Sequence, residues 1–138
     1  MKSILFIIGF SLTAVIAYAQ SPVGRWKKIS HVSSYEGQTF DSHVALLKQR
    51  PCAAKIVWVV NADGSYRLDA AASGCDESYS KIQTKMYSKT MWKLTGNRIT
   101  ISTQKDFSVG QTYTLTVTGN KMVWVGTEGQ GTITYQRI

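Results

Sequence analysis

The sequence has few of the residues on which metal sites and enzyme active sites depend. Among 138 residues it has two cysteines, two histidines and eight acidic residues. Neither His31 nor His43 has a second His or Cys at metal-ligand spacing, which excludes a recognisable zinc site. Nucleophile elbows, paired carboxylates and phosphate-binding loops are also missing. We therefore predict a protein that is not an enzyme and uses no metal or cofactor. His43 and nearby Asp41 are predicted to be surface residues without a catalytic role.

Long hydrophobic runs are scarce too, and the one that occurs lies at the N-terminus. Residues 4–17 are almost wholly apolar, Lys2 precedes them, and Ala17-Tyr18-Ala19 has a small-x-small form. This run is about 14 residues long, whereas a membrane-spanning helix needs about 20. The pattern predicts a cleavable signal peptide at residues 1–19 and a mature domain at residues 20–138. We expect a secreted or periplasmic protein without a transmembrane segment.

Apolar and polar residues alternate over most of the remaining chain, which predicts an almost all-β domain. The loops between strands specify the register, because directly opposed residues share a face of the sheet. The first hairpin closes with a three-residue loop that ends at Gly64, where a left-handed residue is needed. Its predicted pairs are Val60 with Tyr66, Trp58 with Leu68, and Ile56 with Ala70.

Two further hairpins turn at Gly-Asn dipeptides, Gly96-Asn97 and Gly119-Asn120, which favour two-residue loops. Both loops put apolar residues opposite apolar residues. The predicted pairs are Leu94 with Ile99, Trp92 with Ile101, Val117 with Met122, and Leu115 with Trp124. One face of each hairpin is therefore expected to be buried and the other to be exposed to solvent.

The register of the first hairpin also bears on the two cysteines. Extended, it sets Cys52 opposite Gly74, one residue from Cys75. An exported protein matures in an oxidising compartment, where such a pair is expected to be a disulfide. We predict a Cys52–Cys75 bridge between the exit of a helix and the end of the third strand.

Adding strands at residues 24–32 and 132–137 gives about eight strands in succession. A single helical stretch is predicted at residues 41–49, after the first strand, with Asp41 or Ser42 as its cap. One short helix cannot cover a sheet of this size. The strands bury their apolar face best by closing into an antiparallel up-and-down barrel, which also removes exposed edges.

The order of several short motifs resembles the small secreted bacterial lipocalin-like domains. Gly24-Arg25-Trp26 matches the Gly-x-Trp that opens lipocalin barrels, and GRWKKIS, LLKQRPC, NADGSY, WKLTGNRITI, YTLTVTGNKMVW and TYQRI follow in the same order. The resemblance covers essentially all of residues 24–138. It implies a calycin-type barrel in which Trp26 packs at the closed end against a basic residue of a late strand. Arg137 is the residue that could serve there.

The predicted inward face of this barrel is rich in aromatic residues with a polar edge, which is typical of a small-molecule site. The candidate ligand-binding residues are Trp58, Tyr66, Trp92, Tyr113, Leu115 and Trp124. They are expected to line one continuous apolar space for a small hydrophobic ligand, with a fatty acid as an example because the chain is basic. The alternative is a filled barrel that acts through its surface, as an envelope interaction module or an inhibitor.

Basic residues outnumber acidic ones by 16 to 8, and four lysines recur at intervals of four. These are Lys81, Lys85, Lys89 and Lys93. In a strand they would share one outward face with Tyr87 and Met91. That face is interpreted either as a solvated stripe that blocks edge pairing or as a landing surface for an anionic envelope. Export argues against a nucleic-acid partner.

Overall fold

The computed structural model describes residues 21–138, so the predicted signal peptide lies outside the described residues. The chain there forms one antiparallel sheet and two α-helices. The strands are β1 (Gly24–Tyr35), β2 (Gln38–Asp41), β3 (Val57–Val60), β4 (Tyr66–Asp69), β5 (Met91–Thr95), β6 (Arg98–Ser102), β7 (Gln111–Thr118), β8 (Lys121–Val125) and β9 (Thr132–Arg137). The helices are α1 (Ser42–Gln49) and α2 (Glu77–Met86), with short 3₁₀ helices at Pro51–Lys55 and Phe107–Val109.

Eight of the strands form a nearly closed barrel in the order β4-β3-β1-β9-β8-β7-β6-β5, while β2 pairs only with β1. The two end strands meet at a single bridge between Ser65 and Met91. Two hydrogen bonds flank it, from Tyr66 N to Thr90 O at 3.0 Å and from Trp92 N to Gly64 O at 2.9 Å. The predicted all-β, up-and-down barrel is thus confirmed, with one additional strand.

The hairpin registers agree with the prediction wherever both residues lie in strands. Val60 pairs with Tyr66 and Trp58 with Leu68, and Gly64 has a φ of +88° at the end of the loop. The pairs across the β5–β6 and β7–β8 turns are also those predicted. The first ladder ends one step early, at the pair of Val57 with Asp69. The predicted pair of Ile56 with Ala70 is therefore wrong, although both residues are buried.

The first helix forms where the sequence indicates, but after the second strand rather than the first. The Asp41 carboxylate accepts a hydrogen bond from Val44 N at 2.9 Å, which satisfies a free N–H of the first turn. Lys48 lies in the last turn, where a cation suits the helix dipole. The intervening β2 was missed because only four residues, three of them polar, form it.

The prediction of one lysine face in a strand is wrong. Lys81 and Lys85 lie on α2, Lys89 follows that helix, and Lys93 lies on β5. An interval of four residues keeps side chains on one face of a helix as well as of a strand. The helix is specified by Asp76, whose carboxylate accepts from Tyr79 N at 2.8 Å.

The two helices are tied together across one end of the barrel. Cys52, in the 3₁₀ helix after α1, forms a disulfide with Cys75, which lies just before α2. Arg50 adds an ion pair to Asp76 at 2.6 Å, and its guanidinium lies 3.9 Å from the ring of Tyr79. The predicted disulfide is confirmed, although it connects two helical segments instead of a helix and a strand end.

The opposite end of the barrel, which we call the floor, is closed by Trp26. Its indole N–H donates to Pro22 O at 2.9 Å, and the Arg137 guanidinium lies 4.1 Å from the ring. Arg137 also donates to Val23 O at 3.1 Å. At Gly24, φ is +150° and a side chain would collide with the guanidinium of Arg137. The Gly-x-Trp motif thus leaves room for the arginine that covers the tryptophan.

Replacing both Cys52 and Cys75 by Ala should lower the free energy of unfolding by about 3 kcal/mol in the chain-entropy model, because the bridge closes a loop with a sequence separation of 23. Chemical denaturation with and without reductant measures this loss. The double variant should not respond to reductant. We expect the barrel to fold without the bridge. Loss of the β-sheet circular dichroism signal in the variant would contradict this expectation.

A double-mutant cycle tests the floor. Gly24→Ala should cost more in the wild type than in an Arg137→Ala background, with a coupling of about 1 kcal/mol, because the added methyl group displaces the guanidinium. Gly37→Ala is the matched control, since Gly37 also has a positive φ but no atoms within 4 Å of an added Cβ. Equal costs of Gly24→Ala in both backgrounds would refute the contact.

Candidate functional site

The interior between the floor and the helices is dominated by aromatic rings that pack against one another. Trp58 stacks on Tyr66 with 5.6 Å between ring centroids, and Tyr66 lies 5.7 Å from Trp124. Trp124 in turn lies 5.1 Å from Tyr135 and 5.6 Å from Tyr113. These five residues come from five different strands, all on the inward face that the hairpin registers specify.

Two cavities remain between these rings. The larger, which we call the barrel cavity, has a volume of about 210 Å³ and is lined by Lys28, His31, Trp58, Tyr66, Tyr87, Ile101, Gln111, Tyr113, Trp124, Ile133 and Tyr135. The smaller, the helix-side cavity, has about 130 Å³ and is lined by Lys28, His43, Leu46, Ala53, Ile56, Trp58, Leu68, Tyr79, Gln83 and Tyr87. The two cavities share Lys28, Trp58 and Tyr87.

Four of the six predicted ligand-binding residues line the barrel cavity: Trp58, Tyr66, Tyr113 and Trp124. Trp92 and Leu115 line neither cavity. The Trp92 indole N–H donates to Asn61 O at 2.8 Å, beside the β3–β4 turn, and Leu115 is buried in the core. The space is therefore smaller than the continuous one expected from the sequence, because side chains fill the barrel toward the floor.

Lys28 is a lining residue that the sequence reasoning missed. The β1–β9 register shifts between Lys28 and Ser30, so that Ile29 is an extra residue. Lys28 lies opposite Tyr135 and His31 opposite Ile133, and both partners face the interior. With regular alternation, Ser30 would face inward in place of His31. A bulge has no clear local signature, so the pattern of β1 did not identify His31. Lys28 follows Trp26 in regular alternation, but a lysine in a strand is expected to face water.

The Lys28 ammonium group lies among aromatic rings without a carboxylate. Its Nζ is 4.2 Å from the ring centroid of Trp58 and 5.9 Å from that of Tyr135. Of the three ion pairs among residues 21–138, none includes Lys28. Burial lowers the pKa of Lys28 from its ordinary 10.5 to about 8, because the rings replace water around the charge. It remains mostly protonated at neutral pH.

The indole N–H of Trp124 is a second polar group without a partner. Trp124 is 2% exposed, and its Nε1 makes no hydrogen bond, whereas the N–H groups of Trp26 and Trp92 both donate to backbone carbonyls. A buried donor left unpaired costs about 1–3 kcal/mol. Buried polar groups without partners are rare in folded proteins, and this one belongs to a residue that lines the barrel cavity.

Two tyrosines add hydroxyl groups to the same cavity. The hydroxyls of Tyr66 and Tyr135 are 3.1 Å apart, and one donates to the other. Burial raises the pKa of Tyr66 well above 10 and raises that of Tyr135 as well, so both stay neutral at physiological pH. Their mutual hydrogen bond uses one of two hydroxyl protons. The pair therefore leaves one hydroxyl proton as a further neutral donor in the barrel cavity, beside the Trp124 N–H.

His43 is buried rather than on the surface, which corrects the sequence interpretation. It is 7% exposed on α1 and lines the helix-side cavity, where its Nε2 has no hydrogen-bond partner. Its pKa is lowered below 6.5, first by burial and then by the positive charge of Lys28. His43 is therefore neutral at pH 7, and it does not compensate the charge of Lys28.

Tyr87 separates the interior from solvent. It packs edge-on against Trp58 at 4.9 Å and lines both cavities. It also borders a hollow of about 370 Å³, the outer hollow, which shares Ile101 and Gln111 with the barrel cavity. Buried Thr90, whose hydroxyl is also unpartnered, lines the outer hollow. The outer hollow and the barrel cavity therefore adjoin at Tyr87.

A larger groove of about 500 Å³ lies outside the barrel between β4 and α2. It is a shallow, open surface, and the polar groups that lack partners belong to residues elsewhere. Within residues 21–138, no three His, Cys, Asp or Glu side chains come close enough to hold a metal ion. In the same range, no helix has the length and apolarity needed to cross a membrane.

Comparison with known protein families identifies a family to which the chain is similar. The model of a lipocalin-like domain family matches residues 23–124. This range contains Trp26 of the floor, both cysteines of the disulfide, and the lining residues of the two cavities up to Trp124. Neither the curated proteins nor the solved structures compared include a significant match. The family match and the nearly closed antiparallel barrel agree, and the chain belongs to the lipocalin-like domain family.

Proposed function

We propose that this protein binds one small, largely apolar molecule in the barrel cavity and acts as a carrier or sensor, not as an enzyme. The observation that carries the proposal is the unpartnered N–H of Trp124 in an aromatic-lined cavity. A ligand with one hydrogen-bond acceptor would satisfy this donor, and its apolar body would stack against the rings. Lipocalin-like barrels commonly enclose such ligands, which agrees with the family of this chain.

The volume of the cavity restricts the size of the ligand. Drug-sized ligands occupy pockets of about 300–1,000 Å³, and a cavity of about 150 Å³ already holds benzene. At about 210 Å³, the barrel cavity suits one or two aromatic rings or a short acyl chain. A long-chain fatty acid, the example considered from the sequence, would require Tyr87 to move so that the neighbouring hollows join.

The proposal includes an exported location, either secreted or periplasmic. Its supports are the apolar N-terminal run with its Ala-Tyr-Ala sequence and the Cys52–Cys75 disulfide, a bond that persists in oxidising compartments. In such a compartment, a small soluble barrel would deliver or report a molecule that crosses the envelope. No step of this function requires a metal or cofactor.

One observation favours the alternative of a surface-interaction module. The β1–β2 hairpin exposes Tyr35 and Phe40, which are 77% and 60% accessible. Exposed aromatic residues are typical of protein contacts. The filled region toward the floor is equally compatible with this reading. The unpartnered Trp124 N–H, in contrast, has no role in a barrel without a ligand.

The test is titration with 2-naphthamide, a neutral two-ring compound with a carbonyl acceptor, followed by indole N–H resonances. The Trp124 signal should shift downfield on binding because it gains a hydrogen bond. The signals of Trp26 and Trp92 should move least, since their N–H groups are already bonded. Affinity in the micromolar range is expected for a ligand of this size.

A filling variant provides the control. Ile101→Phe places a larger side chain at the boundary of the barrel cavity and should weaken binding about tenfold or more. Ile82→Phe, at an exposed position on α2, should leave binding unchanged. Equal shifts of all indole signals, or binding that Ile101→Phe does not affect, would favour the surface-interaction module.

A further inference from the structure

We propose that Lys28 anchors the anionic group of the ligand, which makes the ligand a small carboxylic acid with an aromatic or short acyl body. The inference rests on the proposed function and specifies the ligand class for the same cavity. It depends on the position of Lys28, on the lack of a carboxylate beside it, and on the neutral donors that share its cavity.

The position of Lys28 suits an anchor. Lys28 borders both the barrel cavity and the helix-side cavity. A ligand whose anionic group binds the ammonium could therefore place its apolar body in either cavity. Trp58 and Tyr135 hold the ammonium through their ring faces. Ring faces attract a positive charge without accepting strong hydrogen bonds. N–H groups of the Lys28 ammonium therefore remain available to donate to a ligand.

No protein carboxylate compensates this charge. The ion pairs among residues 21–138 use Arg25, Arg50 and Lys81 as their cations. Asp41, whose charge acts on nearby His43, is already bound by the backbone N–H groups of Val44 and His31 at 2.9 and 3.2 Å. A partly buried ammonium group without a counter-ion is unfavourable, because it has lost part of its hydration. A ligand carboxylate would supply the missing negative charge.

A carboxylate fits better than a larger or more highly charged anion. The single negative charge of a carboxylate matches the single ammonium group. The carboxylate lone pairs that the ammonium does not use can accept hydrogen bonds from neutral donors. The Trp124 N–H and the free proton of the Tyr66–Tyr135 hydroxyl pair lie in the same cavity. A phosphate dianion would bring a second charge, whereas Lys28 is the one Lys or Arg among the residues that line the barrel cavity.

The pH dependence of binding follows from the groups that face Lys28. His43 on α1 is neutral above its lowered pKa, while the tyrosines on β4, β7, β9 and after α2 have raised pKa values. His31 on β1 and Tyr79 on α2 complete the titratable lining. Lys28 has a pKa of about 8 without ligand, so carboxylate affinity should be highest below pH 8 and fall as the pH rises above it.

The test compares 2-naphthoate with 2-naphthamide, which have the same ring system and differ in charge. Calorimetry at pH 7 should show that wild-type protein binds 2-naphthoate about tenfold or more tightly. Lys28→Met should weaken 2-naphthoate binding by about tenfold to a hundredfold and leave 2-naphthamide binding nearly unchanged. Lys27→Met, at the next residue of β1 on the opposite face of the sheet, should behave as wild type.

Thermal unfolding shows whether the variant is folded and provides a second readout. The folded pKa of Lys28 lies below the unfolded value, so the unfolded chain binds more protons between about pH 8 and 10.5. Lys28→Met should therefore raise the melting temperature most below pH 8, and this gain should shrink as the pH approaches 10.5. The affinity for 2-naphthamide should not change over this pH range.

The outcomes separate the two proposals. Binding of both compounds with equal affinity, or 2-naphthoate binding that Lys28→Met does not weaken, overturns the anchor and leaves the barrel ligand in place. A wild-type protein that binds neither compound overturns the proposed function, and the anchor with it. Weaker binding of 2-naphthoate than of 2-naphthamide below pH 8 also overturns the anchor.

Discussion

The pairing of β1 with both β3 and β9 is the constraint on which the rest of the structure depends. This strand joins the beginning of the domain to its end, since Trp26 lies between Trp58 on one side and Arg137 on the other. Without either ladder the sheet would open at its centre, and the ring of Trp26 would lose its cover. The same strand then supplies Lys28 and His31 to the barrel cavity.

The bulge after Lys28 connects this constraint to the site. Below it, β1 keeps the alternation that sets Trp26 and Lys28 on the inward face; above it, the shifted register turns His31 inward and leaves Ile29 half exposed. A bulge bends its strand and re-aims side chains at the cost of one unpaired residue. The residues that precede and follow the shift, Lys28 and His31, both line the barrel cavity.

The sequence predicted those parts of the fold that short-range chemistry specifies. The three hairpins were predictable because Gly64 and the Gly-Asn turns leave one loop length that opposes apolar residues. The helix α2 was not, because a spacing of four fits a strand face and a helix face equally, and only the Asp76 cap distinguishes them. Lys28 was missed for a similar reason: a lysine in a strand is expected to face water, and its burial depends on a ring from β3 and one from β9.

The satisfied and the unsatisfied polar groups lie in different parts of the barrel. Toward the floor, the N–H groups of Trp26 and Trp92 are bonded to backbone carbonyls, and Arg137 has both a ring and a carbonyl as partners. Around the cavities and the outer hollow, the polar atoms of His43, Thr90 and Trp124 are unpartnered, and Lys28 has no counter-ion. Unpaired buried groups cost stability, so their position around the cavities is the arrangement expected if the proposed ligand satisfies some of them.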